Sequence, residues 1–300
     1  MGATTLERWP PLRLADWSDT RDTLHLWTQI VGKIRLALAP PINHWWHVTL
    51  YPTARGLTTS PMPYGEGAFE VRFDFVDHRL VVDTSDGQER VIPLAPQTVA
   101  DFYHGLMTTL RELRIDVRIW PVTVEIPTRV RLDRDRDHSS YDRAAVERWW
   151  RVMVETDNLF NQFRGRFIGK SSPVHFFWGS FDLAVTRFNG RRAPERPDAD
   201  AMTREAYSHE VISAGFWPGS GSVPEASFYA YAAPEPPGFK TASIRPAAAM
   251  YDDAFGIFIL RYEDARNTGD PGDVLLQFCQ STYEAAANLA GWNRAELERR

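Results

Sequence analysis

The stretch Trp27-Thr28-Gln29-Ile30-Val31-Gly32-Lys33-Ile34 is written a second time, in the same chemical order, as Phe160-Asn161-Gln162-Phe163-Arg164-Gly165-Arg166-Phe167. Both copies run aromatic, polar, glutamine, apolar, apolar or arginine, glycine, basic, apolar. Such self-similarity points to a duplicated unit. Just downstream, Pro41-Ile42-Asn43-His44-Trp45-Trp46-His47 matches Pro173-Val174-His175-Phe176-Phe177-Trp178 with one residue dropped. Alternating segments follow in each half, and each half closes on an amphipathic stretch, Gln97 to Arg114 and Asp273 to Ala290.

Each half therefore reads helix, strands, helix. In the first, Trp27, Ile30, Val31, Ile34 and Leu38 recur at helical spacing over Thr23–Leu38, with Asp19 or Thr20 as a cap. Strands are expected at Trp45–Tyr51, Arg55–Thr59 and Glu70–Phe75. Phe69, Val71, Phe73 and Phe75 alternate with Glu70, Arg72 and Asp74, which buries one face and wets the other. Asp77-His78 turns the chain into Arg79–Asp83, and Arg90–Pro93 follows. The second half gives a helix over Val146–Phe167, one long or bulged strand over Val174–Phe188, and strands at Ser227–Ala232 and Gly256–Tyr262. The expected fold is α+β: an internally duplicated helix–antiparallel sheet–helix unit with pseudo-twofold symmetry and helices on the sheet faces. The halves span residues 1–128 and 145–300, joined by a charged linker at 129–144, where Arg131-Leu132-Asp133-Arg134-Asp135-Arg136-Asp137-His138 alternates in sign.

Composition narrows the function. The 300 residues carry a net charge of −5, which argues against nucleic acid as a partner. One cysteine, Cys279, excludes an intramolecular disulfide and a thiolate metal cluster. It falls on the apolar face of the last helix and reads as an inert core thiol. Only Lys33, Lys170 and Lys240 are lysines among 34 basic residues, a bias that GC-rich coding explains. No nucleotide-binding glycine motif or serine-hydrolase elbow occurs, so no cofactor is expected. The first residues lack the apolar run of a signal peptide, Leu6 breaks the myristoylation pattern behind Gly2, and no membrane span is present. A cytoplasmic location is the expectation.

Three runs resemble a bacterial family classed as a domain of unknown function: Asp22–Val48, Phe177–Pro194 and Tyr207–Gly219. The likeness extends from Trp9 to Trp292. It is associated with natural-product pathways, including aziridine ring closure by displacement of a sulfate. It implies no catalytic residues.

The candidate chemistry comes from the residues themselves. His44 and His47 lie on opposite faces of a regular strand, unless a bend at Pro41 turns them together. His175 is the repeat partner of His44, so the two are expected near the pseudo-axis. His209 and Glu210 each offer a general base. Asp182 shares a strand face with Trp178, Ser180, Ala184 and Thr186. Exposed it is a surface charge, and buried it is an acid of raised pKa. Arg55 or Arg187 would hold an anion. Gln29 and Gln162 occupy matching helix positions and either satisfy buried backbone or touch a ligand. Trp46, Trp178 and Trp217, with Trp45 and Phe177, would wall a pocket between the halves.

These residues support an enzyme acting on a small polar or anionic molecule by proton transfer, elimination or intramolecular substitution. The alternatives are a non-catalytic small-ligand-binding protein or partner subunit, and a metalloprotein that takes three ligands from among His44, His47, His175, His209 and Glu210. A homodimer or a small partner protein is compatible with each.

Overall fold

Alternation and helical spacing resolve into seven helices and twelve strands over the described residues, 7–126, 129–221 and 223–299 of a computed structural model. After a 3-10 turn at Leu14–Asp16 come α1 (Ser18–Leu38), a second 3-10 turn (Asn43–Val48), β1 (Tyr51–Pro52), β2 (Gly56–Thr58), β3 (Met62–Tyr64), β4 (Gly67–Asp74), β5 (Arg79–Thr84), β6 (Glu89–Pro93) and α2 (Val99–Glu112). Then follow α3 (Arg143–Gly165), β7 (His175–Phe177), β8 (Asp182–Arg192), α4 (Ala201–Ala206), β9 (His209–Trp217), β10 (Ser227–Ala233), β11 (Met250–Asp252), β12 (Ile257–Arg261), α5 (Tyr262–Arg266), α6 (Pro271–Leu289) and α7 (Arg294–Leu297).

The class is α+β, with two six-stranded antiparallel sheets. One runs β1-β2-β4-β5-β6 with β3 paired to β4, and the other runs β11-β12-β10-β9-β8-β7. Both halves run in the order helix, antiparallel sheet, helix. By packing, the chain divides into two compact units. The first holds residues 15–150 and 175–182; the second holds the segment before 15, residues 151–174 and the chain from 183 onward.

In the first unit, Phe69, Val71 and Phe73 of β4 are buried while Glu70 and Arg72 alternate with them at the wetter face. The register sets Glu70 opposite Asp83, a like-charge pair. Arg72 relieves it by donating diagonally to Asp83, and Glu70 accepts from the Thr58 hydroxyl. Asp74 departs from the expected wet face. It is buried and takes hydrogen bonds from Arg55, Arg79 and the backbone N–H groups of Val76 and Asp77, which form the hairpin turn. The core is aromatic: Trp27 stacks on Phe102 at 4.7 Å and on Tyr141 at 5.5 Å.

Helix α1 is buried along most of its length, from Thr20 to Arg35, rather than resting on an outer face. It starts at Ser18, and neither Asp19 nor Thr20 caps it. The Thr20 hydroxyl instead accepts from the Asp142 N–H. The 129–144 segment was expected as a solvated linker, yet it lies in the first unit. Leu132 is fully buried, and the Asp135 carboxylate accepts from the Asp137 and His138 N–H groups. The charge alternation is surface decoration on a segment whose backbone is tied down, as in the Ala100 N–H bond to the Asp135 carbonyl.

In the second unit, α6 packs on β9 and β10. Phe216, Phe228 and Tyr262 form one aromatic cluster, and Phe163, Phe167 and Trp292 ring Tyr283. Cys279 is buried, and burial pushes its thiol up to about 12, so it carries no nucleophile. Among the described residues no helix is long and apolar enough to cross a membrane. The readings of Gly2 and Leu6 lie outside the described residues.

Candidate functional site

Helix α1 carries Arg21, His25, Gln29 and Lys33 at every fourth position. That spacing puts them on one helix face, and all four are buried. The segment 175–182 lies along this face. The Arg21 guanidinium sits 5.9 Å from the Phe181 ring, and Lys33 Nζ sits 5.6 Å from the Trp178 ring. A Cβ on Gly32 would meet the Trp178 indole at 2.3 Å, so only glycine admits that ring.

His25 Nε2 faces the carbonyls of Trp178 at 3.1 Å and Gly179 at 2.9 Å, which assigns the proton to Nε2. Burial, with Arg21 nearby, lowers its pKa to about 3, so the imidazole is neutral. Gln29 clamps Val124 through two bonds: its Oε1 accepts from the Val124 N–H at 3.0 Å and its Nε2 donates to the Val124 carbonyl at 2.8 Å. Of its two expected roles, Gln29 takes the backbone one. Gln162, its repeat counterpart, is exposed and does not share it.

The clamp fixes the residue before Glu125. Glu125 has a φ of 57°, in the left-handed region where a side chain is strained. As a whole the residue is exposed, but its carboxyl end meets the 179–182 turn. A Cβ on Gly179 would lie 2.4 Å from Oε1. The carboxyl is held above the usual glutamate range, first by burial and then by the charge of Asp182, with a hydrogen bond to Ser180 working the other way. Ser180 donates to Asp182 Oδ1. Two carboxyls and one hydroxyl thus form a single polar cluster.

Asp182 is 6% exposed, so the surface-charge reading fails. The expected strand face of Trp178, Ser180 and Asp182 fails with it. Residues 178–181 form a turn in which the Phe181 N–H reaches the Phe177 carbonyl, with φ 62° at Phe181. The β alternation begins only at Asp182. Trp178 itself is buried and donates from Nε1 to the Val48 carbonyl at 2.6 Å.

The expected strand at Trp45–Tyr51 is replaced by the 3-10 turn at Asn43–Val48, with His44 and Trp45 both at positive φ. The bend thus falls at His44 and Trp45 rather than leaving a straight strand. His47 is used locally, its Nδ1 accepting from the Ile42 N–H at 3.1 Å. His44 and His175 come to the same indole: Trp46 lies 5.4 Å from the His44 ring and 5.7 Å from the His175 ring.

Other expected groups are otherwise engaged. Arg55 donates to Asp74 and Asp77 and is no anion clamp. Arg187, in the second unit, is 1% exposed, in an aromatic cage 3.5 Å from the Phe163 ring and 4.3 Å from that of Tyr283. It donates to the Phe163 carbonyl in the last turn of α3, where a cation suits the helix dipole. Burial lowers its pKa to about 10. In the same unit, Glu210 accepts from Asn189, Arg191 and Trp292, so its charge is spoken for. Burial, then Arg192 and Lys170, lowers the pKa of His209, whose Nδ1 lies 3.0 Å from the Ser208 hydroxyl. Trp217 closes β9 with its indole Nε1 buried. Among the described residues no three histidine, cysteine or acidic side chains are placed to hold a metal ion. A cleft of about 270 Å³ in the second unit is lined by Asn161, Arg164, Gly165, Phe167, Gly169 and Ser171, none of them an expected site residue.

His25, Lys33, Glu125 and Ser180 were not singled out from the sequence. The fourfold spacing in α1 was the available signal for the first two. Glu125 belongs to an irregular segment, where no periodicity marks it, and Ser180 was read only as a neighbour of Asp182 on a strand face that is a turn in the structure.

A family model described as "Family of unknown function (DUF5996)" matches residues 9–299. No curated protein and no solved structure matches the chain.

Proposed function

The chain belongs to this family of unknown function, and from that premise we propose that it is an enzyme acting on a small polar or anionic molecule by acid–base chemistry. The observation that carries the reading is the Glu125–Asp182 carboxyl pair. Burial, then the charge of Asp182, holds the Glu125 carboxyl above the usual glutamate range, the kind of asymmetry that sets an acid apart from a base. In this reading Asp182 removes a proton from the substrate while Glu125 delivers one to the departing group, in an elimination or an intramolecular ring closure. Ser180 holds Asp182 in register. His25, being neutral and bonded to backbone, positions the turn and exchanges no proton. The single cysteine and the net charge of −5 support a cytoplasmic protein that does not bind nucleic acid.

The test is conversion of a small-molecule extract followed by mass spectrometry. The wild type is expected to deplete at least one compound, and Glu125→Gln and Asp182→Asn to lose ~100-fold or more of that rate while keeping the wild-type fold. An extract left unchanged by the wild type, or turned over equally by both variants, rejects the enzyme reading.

A further inference from the structure

The cleft of the second unit lies at the end of α3. Asn161, Arg164 and Gly165 of the helix and Phe167, Gly169 and Ser171 of the segment after it enclose about 270 Å³. Arg164 Nε is buried without an acceptor, and among the described residues no carboxylate pairs with this guanidinium. Nor does its own helix end need Arg164. There the Phe163 carbonyl accepts from Arg187, and the Gly165 carbonyl accepts from Arg299 Nε at 3.0 Å. Those two arginines answer the negative end of the helix dipole, which leaves Arg164 in surplus.

The walls are fixed by other contacts. The Ile168 N–H donates to the Leu297 carbonyl at 2.8 Å, Phe167 bridges to Glu298, and the Phe188 N–H donates to the Lys170 carbonyl at 2.9 Å. A Cβ on Gly169 would lie 2.7 Å from both Leu297 Cδ2 and Phe167 Cε1, so that approach requires glycine. Asn161 Nδ2 donates to the Asp157 carbonyl at 3.0 Å and to Asp157 Oδ1 at 3.2 Å, which leaves Asn161 Oδ1 as an acceptor. The Ser171 hydroxyl donates to the Ser172 or Thr186 carbonyl, each at 3.2 Å, so its oxygen accepts too. One cationic donor and two neutral acceptors thus line the cleft. The matching stretch in α1 shows the contrast. A Cβ on Gly32 would meet the Trp178 indole at 2.3 Å, whereas one on Gly165 would meet nothing within 4 Å. The first unit fills the place beside its helix glycine with a side chain, and the second leaves it open.

We propose that this cleft binds a small organic oxyanion that also carries hydroxyls, such as the phosphate, sulfate or carboxylate of a short polyol. The Arg164 fork takes the anionic group. Asn161 Oδ1 and the Ser171 oxygen accept from the hydroxyls, and the Phe167 ring supplies the apolar contact. The volume lies below the range of drug-sized pockets, which fits a molecule of a few carbons. The site belongs to the unit that does not hold Glu125 and Asp182, and it stands or falls without the acid–base reading.

The experiment is calorimetric titration of the intact protein with glycerol 3-phosphate and, separately, with sulfate, which bears no hydroxyl. The wild type is expected to bind glycerol 3-phosphate saturably and more tightly than sulfate. Arg164→Gln is expected to weaken both at least ~10-fold. Its unfolding temperature without ligand is expected to stay unchanged, because the guanidinium has no acidic partner among the described residues to lose. Asn161→Leu, at an exposed helical position, is expected to weaken glycerol 3-phosphate by ~3-fold or more and to leave sulfate as it was. Arg118→Gln, at an exposed arginine of the first unit, is expected to bind both as the wild type does. No saturable binding by the wild type overturns the proposal, as does wild-type affinity in Arg164→Gln. An equal loss in Arg118→Gln overturns it too, since the attraction would then be one of net charge. Unchanged glycerol 3-phosphate affinity in Asn161→Leu overturns the hydroxyl contacts.

Discussion

Glu125 and Asp182 share one electrostatic environment, so a change at either is read at the other. Asp182→Asn removes the like charge that helps hold the Glu125 proton. The Glu125 carboxyl is therefore expected to titrate lower in that variant, in carbon-13 spectra of labelled protein. An unmoved titration would mean that burial alone sets it. His25 gives a second reading of opposite kind. Its folded pKa of about 3 lies below the ordinary 6.5, so protonation favours the unfolded chain. The stability it contributes is complete above pH 6.5 and is lost as pH falls from there toward 3. At about pH 5 the loss is ~2 kcal/mol, from 1.36 kcal/mol per unit. Urea unfolding of wild type and His25→Gln, near neutrality and near pH 5, isolates that slope; equal slopes in the two proteins would refute a buried neutral imidazole. At this scale the site was half legible. Asp182, Gln29 and Trp178 could be named because they stand in patterned segments. Their roles depend on burial, which a single sequence does not state.

Elements decide what those residues meet. The segment 175–182 is held against α1 by Gly32, whose missing side chain leaves room for the Trp178 ring. Gly32→Ala is expected to cost about 1–3 kcal/mol by overpacking and to shift the tryptophan emission, as the buried indole is pushed out. Thermal unfolding and fluorescence check both. Gln29→Leu leaves both backbone groups of Val124 without partners, a loss of about 2–3 kcal/mol. It also frees the segment that presents Glu125, so turnover is expected to fall further than stability alone explains. Long periodic elements were legible: α1, β4 and α6 fall within a few residues of their expected bounds. What escaped were the 3-10 turn at 43–48 and the turn at 178–181. Both depend on residues at positive φ, His44, Trp45 and Phe181, that carry side chains and so give no glycine signal.

Across the whole chain, stretches that match in sequence do not put their matched residues to the same use. Gly32 receives Trp178, whereas a Cβ on Gly165 would meet nothing. Gln29 is a buried clamp, whereas Gln162 is exposed. The order helix, antiparallel sheet, helix was therefore readable from the matched stretches, and the site was not, because it joins α1 of one half to the 175–182 segment of the other rather than using matched residues alike. Helix α3 crosses from the first unit to the second between Trp150 and Arg151. The join at 129–144, expected from charge, is hydrogen-bonded into the first unit. Limited digestion with a broad-specificity protease is thus expected to spare 129–144 and to cut first in the exposed stretch at 195–200, read by mass spectrometry of the fragments. Early release of a fragment ending near residue 130–140 would contradict that packing.

The lone thiol makes the second unit self-reporting. Cys279 is sealed in α6, so an alkylating reagent reaches it only during excursions that expose the helix. Its modification rate under native conditions becomes a stopwatch for opening, with no competing sulfhydryl to blur it. The effect of a change confined to the first unit, such as Gly32→Ala, can then be timed in the second. An unchanged clock would mean that the units breathe independently, and a faster one that they open together.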